Sequence, residues 1–311
     1  MPRLIGLAGV MSAVRARRLT RGRSEFAALA AELVIVSRRG SLRNIAFARE
    51  RSMTEVSRAR LNRLKEALAA GQPSFGLIAT IPSIQTVQTL ASAGVDWLIV
   101  DMEHGPIDLS AVHAMIVATA GTSTVPFVRL PWSLPWQAKA AMDFGALGIV
   151  FPMICTRQQA EAAVRSVWYP PAGERLWGPF YAPMRWGQAM PRYIEAANES
   201  VLAIITIEHP DAVQNIDEVM SAPGLDLAFI GPGDLAMSLG IPGQFDHPKF
   251  KAAVAEAEAG ILRSKVPLGG VARTPDHAKQ LLDRGYRALV FGFDWMLLQQ
   301  AAVRFLEVVR G

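Results

Sequence analysis

The stretch FGLIATIPSIQTVQTLASAGVDWLIVDMEH, residues 75–104, decides how the chain is read. Its first part, FGLIA, is an apolar run of strand length. The following SIQTVQTLASAG repeats apolar residues at helical spacing and ends on the glycine expected just past a helix. A second apolar run, VDWLIV, then stops abruptly at Asp101, Glu103 and His104. This is a β–α–β unit, and the pattern continues outward. Further apolar runs are VPFVRL (125–130), GIVFPM (148–153), LAIITIE (202–208), DLAFIG (226–231), PLGGVA (267–272) and ALVFGF (288–293). Helical segments such as LSAVHAMIVATAG and HPKFKAAVAEAEAGILRSK lie between them. Eight strands, each followed by a helix, predict an α/β fold of the (β/α)8 TIM-barrel type. A doubly wound open sheet would want a Gly-rich dinucleotide loop after its first strand, and none follows FGLIA.

The chain has 311 residues, 51% of them hydrophobic and 19% charged, with the single cysteine Cys155. One cysteine excludes an internal disulfide or a Cys-based zinc finger, and a reducing, cytoplasmic compartment is expected. No apolar run approaches the ~20 residues of a membrane span, so no membrane partner is expected. The net charge of +5 is concentrated at one end: residues 1–60 hold thirteen Arg against four Glu, and the rest carries 19 basic and 23 acidic side chains. The body is therefore not basic, and nucleic acid is not an expected partner.

Residues 1–55 read as a basic, poorly ordered extension and residues 56–311 as the barrel. The Arg-rich, lysine-free start resembles a mitochondrial transit peptide. A targeting segment, an arm for an acidic surface and a plain extension remain three readings of it. Segment 169–200, with YPPAGER and WGPFYAPMRWG, reads as a long irregular connection whose Trp177 and Trp186, with Trp168, serve packing.

A polar residue at the end of an inward apolar run needs an explanation, and in this fold the C-terminal strand ends carry the chemistry. Asp101, Glu103 and His104 end strand two, Arg129 ends strand three, Glu208 ends strand five, and Asp234 follows strand six within IGPGDLA. Glu208 and Asp234 suit a hard divalent cation such as Mg2+ or Mn2+. Bidentate Arg129 matches a substrate carboxylate. His104, held by Asp101, would be a base near neutral pH. A metal that polarises a 2-keto group, an arginine and a proton-moving histidine describe enolate chemistry. Taken alone, Asp234 reads more simply as a helix cap, and a lone buried His or Glu as a satisfied structural group. The coincidence of six polar residues on one barrel face favours function. His113, His209, His247 and His277 lack that placement and read as non-catalytic. None of the six lysines ends a strand, which speaks against a Schiff-base aldolase.

The stretches DWLIVDMEHGPID (96–108), VRLPWS (128–133), MDFGALGIVFPMI (142–154), YPPAGER (169–175), TIEHPDAVQNIDEV (206–219), DLAFIGPGDLAMSLG (226–240) and GGVARTP (269–275) resemble the HpcH/HpaI aldolase/citrate lyase family. They cover residues 60–300 in that family's order. The resemblance implies a class II pyruvate aldolase that cleaves a 4-hydroxy-2-oxo acid reversibly to pyruvate and an aldehyde. It implies Glu208 and Asp234 as metal ligands and Glu103 as the acid holding a metal-bound water. The metal would be Mg2+ or Mn2+, with Co2+ as a further option. Arg129 would grip pyruvate and stabilise its enolate, and His104 with Asp101 would transfer the proton. Gly231 and Gly233 would cradle the pyruvate carboxylate, and Asp143 would stand near the aldehyde side. A homo-hexamer, built as a trimer of dimers exchanging the helix after Asp294, is also implied.

Thr206 stands where typical members carry Gln, Met102 where many carry Gly, and Gly233 replaces the usual Ala. The aromatic WGPFYAPMRWG loop leaves the aldehyde pocket open. Arg175 and Arg185 read as surface salt bridges rather than a grip for a distal carboxylate. Other readings are a 3-hydroxyacyl-CoA lyase, an oxaloacetate decarboxylase, and a catalytically silent barrel subunit.

Overall fold

The computed structural model describes residues 62–311. The expected extension over 1–55 lies outside them. The described residues form eight parallel strands closed into a barrel, β1 pairing with β2 in sequence order through to β8, which pairs back with β1. The strands are β1 (Ser74–Ala79), β2 (Trp97–Asp101), β3 (Val125–Arg129), β4 (Gly148–Phe151), β5 (Leu202–Ile207), β6 (Leu227–Ile230), β7 (Leu268–Val271) and β8 (Tyr286–Phe293). All eight expected strands are present, and a (β/α)8 barrel is the fold.

The barrel interior is filled by alternate residues of each strand: Trp97 and Ile99 of β2, Val125 and Phe127 of β3, Leu202 and Ile204 of β5, Leu227 and Phe229 of β6. The residues between them, such as Leu98, Val128, Ala203 and Ala228, pack outward against the helices. Both faces of each strand are thus buried, which is why the strands read as continuous apolar runs. The large interior rings fit because neighbouring strands offer glycine. A Cβ on Gly76 would stand 2.1 Å from the Trp97 ring, one on Gly148 2.5 Å from Phe127, and one on Gly269 2.7 Å from Phe229. Trp97 in turn lies 6.1 Å from Phe127 and 5.7 Å from Phe229, centroid to centroid.

Helix α1 (Arg63–Ala69) closes the lower end of the barrel. Its Leu64 and Leu68 join the interior cluster. Asn62 caps it and donates to the carbonyls of Leu147 (3.0 Å) and Ser200 (2.8 Å), while Lys65 reaches Asp226 at 3.0 Å. Helices α2 (Ile84–Ser92), α3 (Leu109–Ala118), α4 (Pro135–Asp143) and α5 (Arg157–Val167) follow strands one to four.

The expected irregular stretch 169–200 is only partly irregular. It contains α6 (Ala182–Arg185) and the eleven-residue α7 (Met190–Ser200), which buries Tyr193 and Ala197. Trp168 and Trp186 pack against the core as expected, but Trp177 is 63% exposed. After β5 come α8 (Pro210–Gln214) and α9 (Ile216–Met220), after β6 come α10 (Pro232–Ser238) and α11 (Pro248–Ser264), and α12 (Pro275–Asp283) precedes β8. The last helix, α13 (Asp294–Arg310), is exposed along nearly its whole length, with Asp294 its one buried residue. Asp294 ties its start to the end of β1, accepting from the Thr80 backbone N–H and hydroxyl and from the Ile81 N–H at 2.8–3.1 Å.

Candidate active site

The two-residue period of the strands builds the site. In β2 the inward series Trp97, Ile99 ends on Asp101; in β3 the series Val125, Phe127 ends on Arg129; in β5 the series Leu202, Ile204, Thr206 leads to Glu208 just past the strand. Each apolar column therefore finishes in a polar residue at the same rim. The parallel register sets Asp101 directly beside Arg129. The Arg129 Nε and Nη2 donate to Asp101 Oδ1 and Oδ2 at 2.8 and 2.7 Å, with Asp101 fully buried and Arg129 7% exposed.

This pairing corrects two expectations. Asp101 holds His104 only through the His104 backbone and not by the ring: the Asp101 carboxylate accepts from Arg129 and from the backbone N–H groups of Glu103 at 3.1 Å and His104 at 3.5 Å. The His104 Nε2 instead lies 3.6 Å from Glu103 Oε2 and 3.8 Å from Asp234 Oδ2. Nor can Arg129 offer its Nε–Nη2 edge to a substrate carboxylate, because Asp101 has taken it. What faces the site is Nη1, which stands 3.2 Å from Glu103 Oε2. Burial works against the Arg129 charge, yet the hydrogen-bonded Asp101 with Glu103 and Glu208 holds its pKa above the ordinary value. It is a fixed cation.

Glu208 is 1% exposed. Its Oε1 accepts from the Met153 backbone N–H at 2.7 Å and from the Thr206 hydroxyl at 2.8 Å. Its Oε2 is buried without any hydrogen-bond donor. Burial pushes the Glu208 pKa up, the Met153 and Thr206 donors oppose that, and the nearby Asp234 raises it further. Gly231 leaves the room this carboxylate needs, since a Cβ there would come within 2.8 Å of Oε2. Met153 adopts φ 56°, in the left-handed region that non-glycine residues avoid. The sequence had placed Met153 within an apolar strand run; its part in the site is a backbone N–H, for which side-chain identity carries no signal.

Asp234 lies in the first turn of α10, whose N-cap is Gly231 and which has no side-chain cap. The helix-cap reading of Asp234 thus fails: its carboxylate is free for the site. Gly233 has open space where a Cβ would project, and neither its N–H nor that of Asp234 bonds within the helix at this uncapped end. That geometry suits an anionic group above the turn.

Glu103 is pushed from 4.5 up to about 7, chiefly by burial, with Arg129 opposing and Glu208, Asp234 and Asp101 adding to the rise. Its Oε2 is buried and makes no hydrogen bond, but the Arg129 Nη1 stands 3.2 Å from it as an ion pair. The donor-less Glu208 Oε2 beside Asp234 fits a cation that prefers oxygen ligands, and Glu103, ion-paired with Arg129, stands next to it. Among the described residues no group of three His, Cys, Asp or Glu is arranged to enclose an ion. A cation here would keep open positions for water and substrate.

Asp143 is not brought to this rim within the chain. It ends α4, at the opposite end of the barrel, where Lys139 and Arg175 hold its carboxylate at 2.7 and 2.9 Å. Arg175 is not on the surface: it is 2% exposed, 4.4 Å over the Tyr169 ring and 3.2 Å from the Tyr193 hydroxyl. Arg185 packs on the Trp186 ring at 4.3 Å and donates to the Ile116 carbonyl and the Thr119 hydroxyl. The other histidines stand apart from the site. His209 and His247 cap helices, His277 accepts the Arg273 N–H, and His113 stacks between Phe144 and Tyr181.

A barrel whose C-terminal rim presents two cation-ready carboxylates, a fixed arginine and a histidine defines a class of enzyme that stabilises an enolate. The chain belongs to the HpcH/HpaI aldolase/citrate lyase family, whose model matches residues 75–301. It is similar to the 4-hydroxy-2-oxo-heptane-1,7-dioate aldolase of Escherichia coli, 35% identical over 242 residues, 78% of this chain and 92% of that protein. The hydroxypyruvate/pyruvate aldolase of Sagittula stellata is 34% identical over 242 residues, covering 78% of this chain and 95% of that protein. A crystal structure of a family member from Burkholderia cenocepacia J2315 superposes with a TM-score of 0.75 at 35% identity, over 80% of this chain and 100% of that one. The chain is a carbon–carbon lyase of the aldolase type.

Proposed function

We propose that this rim cleaves a 4-hydroxy-2-oxo acid into pyruvate and an aldehyde, with a divalent cation, Mg2+ or Mn2+, held by Glu208 and Asp234. The observation that carries the reading is the buried, donor-less Glu208 Oε2 beside Asp234 and the fixed Arg129. When bound, the cation would act as a Lewis acid toward the 2-oxo group. The chain's own residues supply the rest. The uncapped N–H groups of Gly233 and Asp234 receive the substrate carboxylate. The His104 Nε2, on the open side of the rim, takes the proton of the C4 hydroxyl. The C3–C4 bond then breaks: C4 becomes the aldehyde carbonyl and the electron pair passes to C3 and C2 as the enolate. Arg129 Nη1 donates to the enolate oxygen, and the proton that His104 took from the C4 hydroxyl is delivered to C3, which completes pyruvate and restores His104. Arg129 is preorganised for this, since Asp101 fixes it before substrate arrives.

The substrates are small molecules. We also place this chain in a homo-hexamer in which dimers exchange α13. What supports this is the unburied apolar length of that helix, where Leu298, Phe305, Val308 and Val309 are 61–81% exposed.

The test is pyruvate release, coupled to lactate dehydrogenase, from a panel of 4-hydroxy-2-oxo acids plus oxaloacetate, with Mn2+ and with EDTA. Metal-dependent release is expected. Release undiminished by EDTA, or no pyruvate from any member, overturns the proposal.

A further inference from the structure

A cavity of about 360 Å3 lies outside the barrel wall, between β6–β8 and the helices α11 and α12, with Ile230 and Pro232 on its barrel side. That volume falls in the range of small-molecule sites. Its walls are apolar, with Phe250 and Val254 from α11, Leu281 from α12, and Phe245 set edge-on to Phe250 at 5.4 Å. The Tyr286 ring lies across β7 because Gly270 has no side chain: a Cβ there would be 2.5 Å from it.

The charged groups around the cavity cancel in pairs, with one exception. Lys251 lies 3.0 Å from Asp246. Arg284 is clamped by Glu258, which also accepts the Tyr286 hydroxyl at 2.6 Å. His277 accepts the Arg273 backbone N–H on Nδ1 at 3.2 Å, so its ring carries its proton on Nε2 as a neutral donor. Burial, Arg273 and Arg284 all push the His277 pKa down and keep it neutral. The Arg273 guanidinium is the exception. It lies 5.4 Å over the Phe245 ring; Asp246, held by Lys251, feels its charge, but among the described residues no carboxylate stands within ion-pair distance of it.

One cation that makes no ion pair of its own and one neutral donor at the mouth of an apolar cavity select a single negative charge on an apolar body. We propose that this cavity is a second ligand site, separate from the catalytic rim, for a small organic monocarboxylate. The carboxylate would sit on Arg273 and the His277 Nε2–H, and the body would lie against Phe245, Phe250 and Leu281. Inorganic phosphate fits poorly, because it brings more than one charge to one free cation and nothing to the apolar walls. The occupant would touch Pro232, and so reach the turn bearing Gly233 and Asp234 from behind.

Benzoate is a suitable probe, titrated calorimetrically into the full-length, metal-loaded protein, with benzamide and inorganic phosphate as comparisons. Saturable benzoate binding near or below about 1 mM is expected, with benzamide and phosphate much weaker. Arg273 is exposed, so Arg273→Ala should fold normally; it should weaken benzoate at least about ten-fold through the lost charge-assisted hydrogen bond. Val254→Phe, which fills the cavity, should abolish binding while leaving pyruvate release unchanged. Arg129→Ala should leave benzoate binding as it was. No saturable binding, equal affinity in Arg273→Ala, or loss of binding in Arg129→Ala overturns the proposal; the last outcome places benzoate on the catalytic rim.

Discussion

Asp101→Ala tests the central pairing of the site. In the wild type the Asp101 carboxylate is fully buried and receives two hydrogen bonds from an arginine that is itself 7% exposed. Removing Asp101 leaves the Arg129 charge buried with its Nε–Nη2 edge empty. Stripping one partner from a buried ion pair costs about 3–5 kcal/mol. For a domain of this size each kcal/mol lowers Tm by about 2–4 °C, so the fall should be about 6–20 °C. Calorimetry in EDTA avoids any contribution from metal binding. The double variant Asp101→Ala/Arg129→Met removes the orphaned charge and should recover part of the loss, with a coupling of at least about 1 kcal/mol. Pyruvate release should fall at least about 100-fold in Asp101→Ala, because the enolate-facing donor is no longer fixed. A Tm drop below about 2 °C, or additivity in the double variant, refutes the reasoning.

Thr206→Val removes a hydroxyl that donates to Glu208 Oε1 at 2.8 Å; the metal concentration for half-maximal activity should rise about ten-fold, as for other partners of metal-binding carboxylates. Glu103 gives a pH signature. Because its folded pKa is raised from 4.5 to about 7, the metal-free fold holds the extra proton between those values. This contribution to stability therefore grows as pH falls from about 7 toward 4.5, and the penalty is full above 7. Tm in EDTA, compared at pH 5 and pH 8, should show this gain in the wild type and lack it in Glu103→Gln; equal slopes would reject the assignment. Gly76→Ala puts a methyl 2.1 Å from the Trp97 ring and should cost about 1–3 kcal/mol by overpacking. Thermal melts should show Trp97→Leu in the same chain recovering part of that loss.

The barrel was legible because both faces of its strands are buried: LAIITI is buried at every position, and such runs cannot be taken for half-exposed strands. The site was legible for a related reason, since Asp101, Arg129 and Glu208 each break an apolar column at its end. Partnership was not legible. Asp101 and Arg129 lie 28 residues apart and meet through strand register, while His104, three residues from Asp101, gives it only a backbone N–H and sets its ring against Glu103 and Asp234. Arg175 looked superficial within YPPAGER, and is buried because Tyr169 and Tyr193 close over it from two sides of the chain. Helix α7 escaped notice because its buried stripe is only Tyr193 and Ala197, a single pair four residues apart.

The interlock of Trp97, Phe127 and Phe229 with glycines on adjacent strands also limits how this barrel can change over generations. Each ring and its glycine form a lock of fixed total volume, so a lone exchange at either position leaves a hole or a collision. Sequence drift inside the barrel must therefore pass through matched exchanges across neighbouring strands, whereas each polar residue at the rim above is reached by one step along its own strand. Such a scaffold can vary its chemistry at the rim far more readily than it can vary its filling.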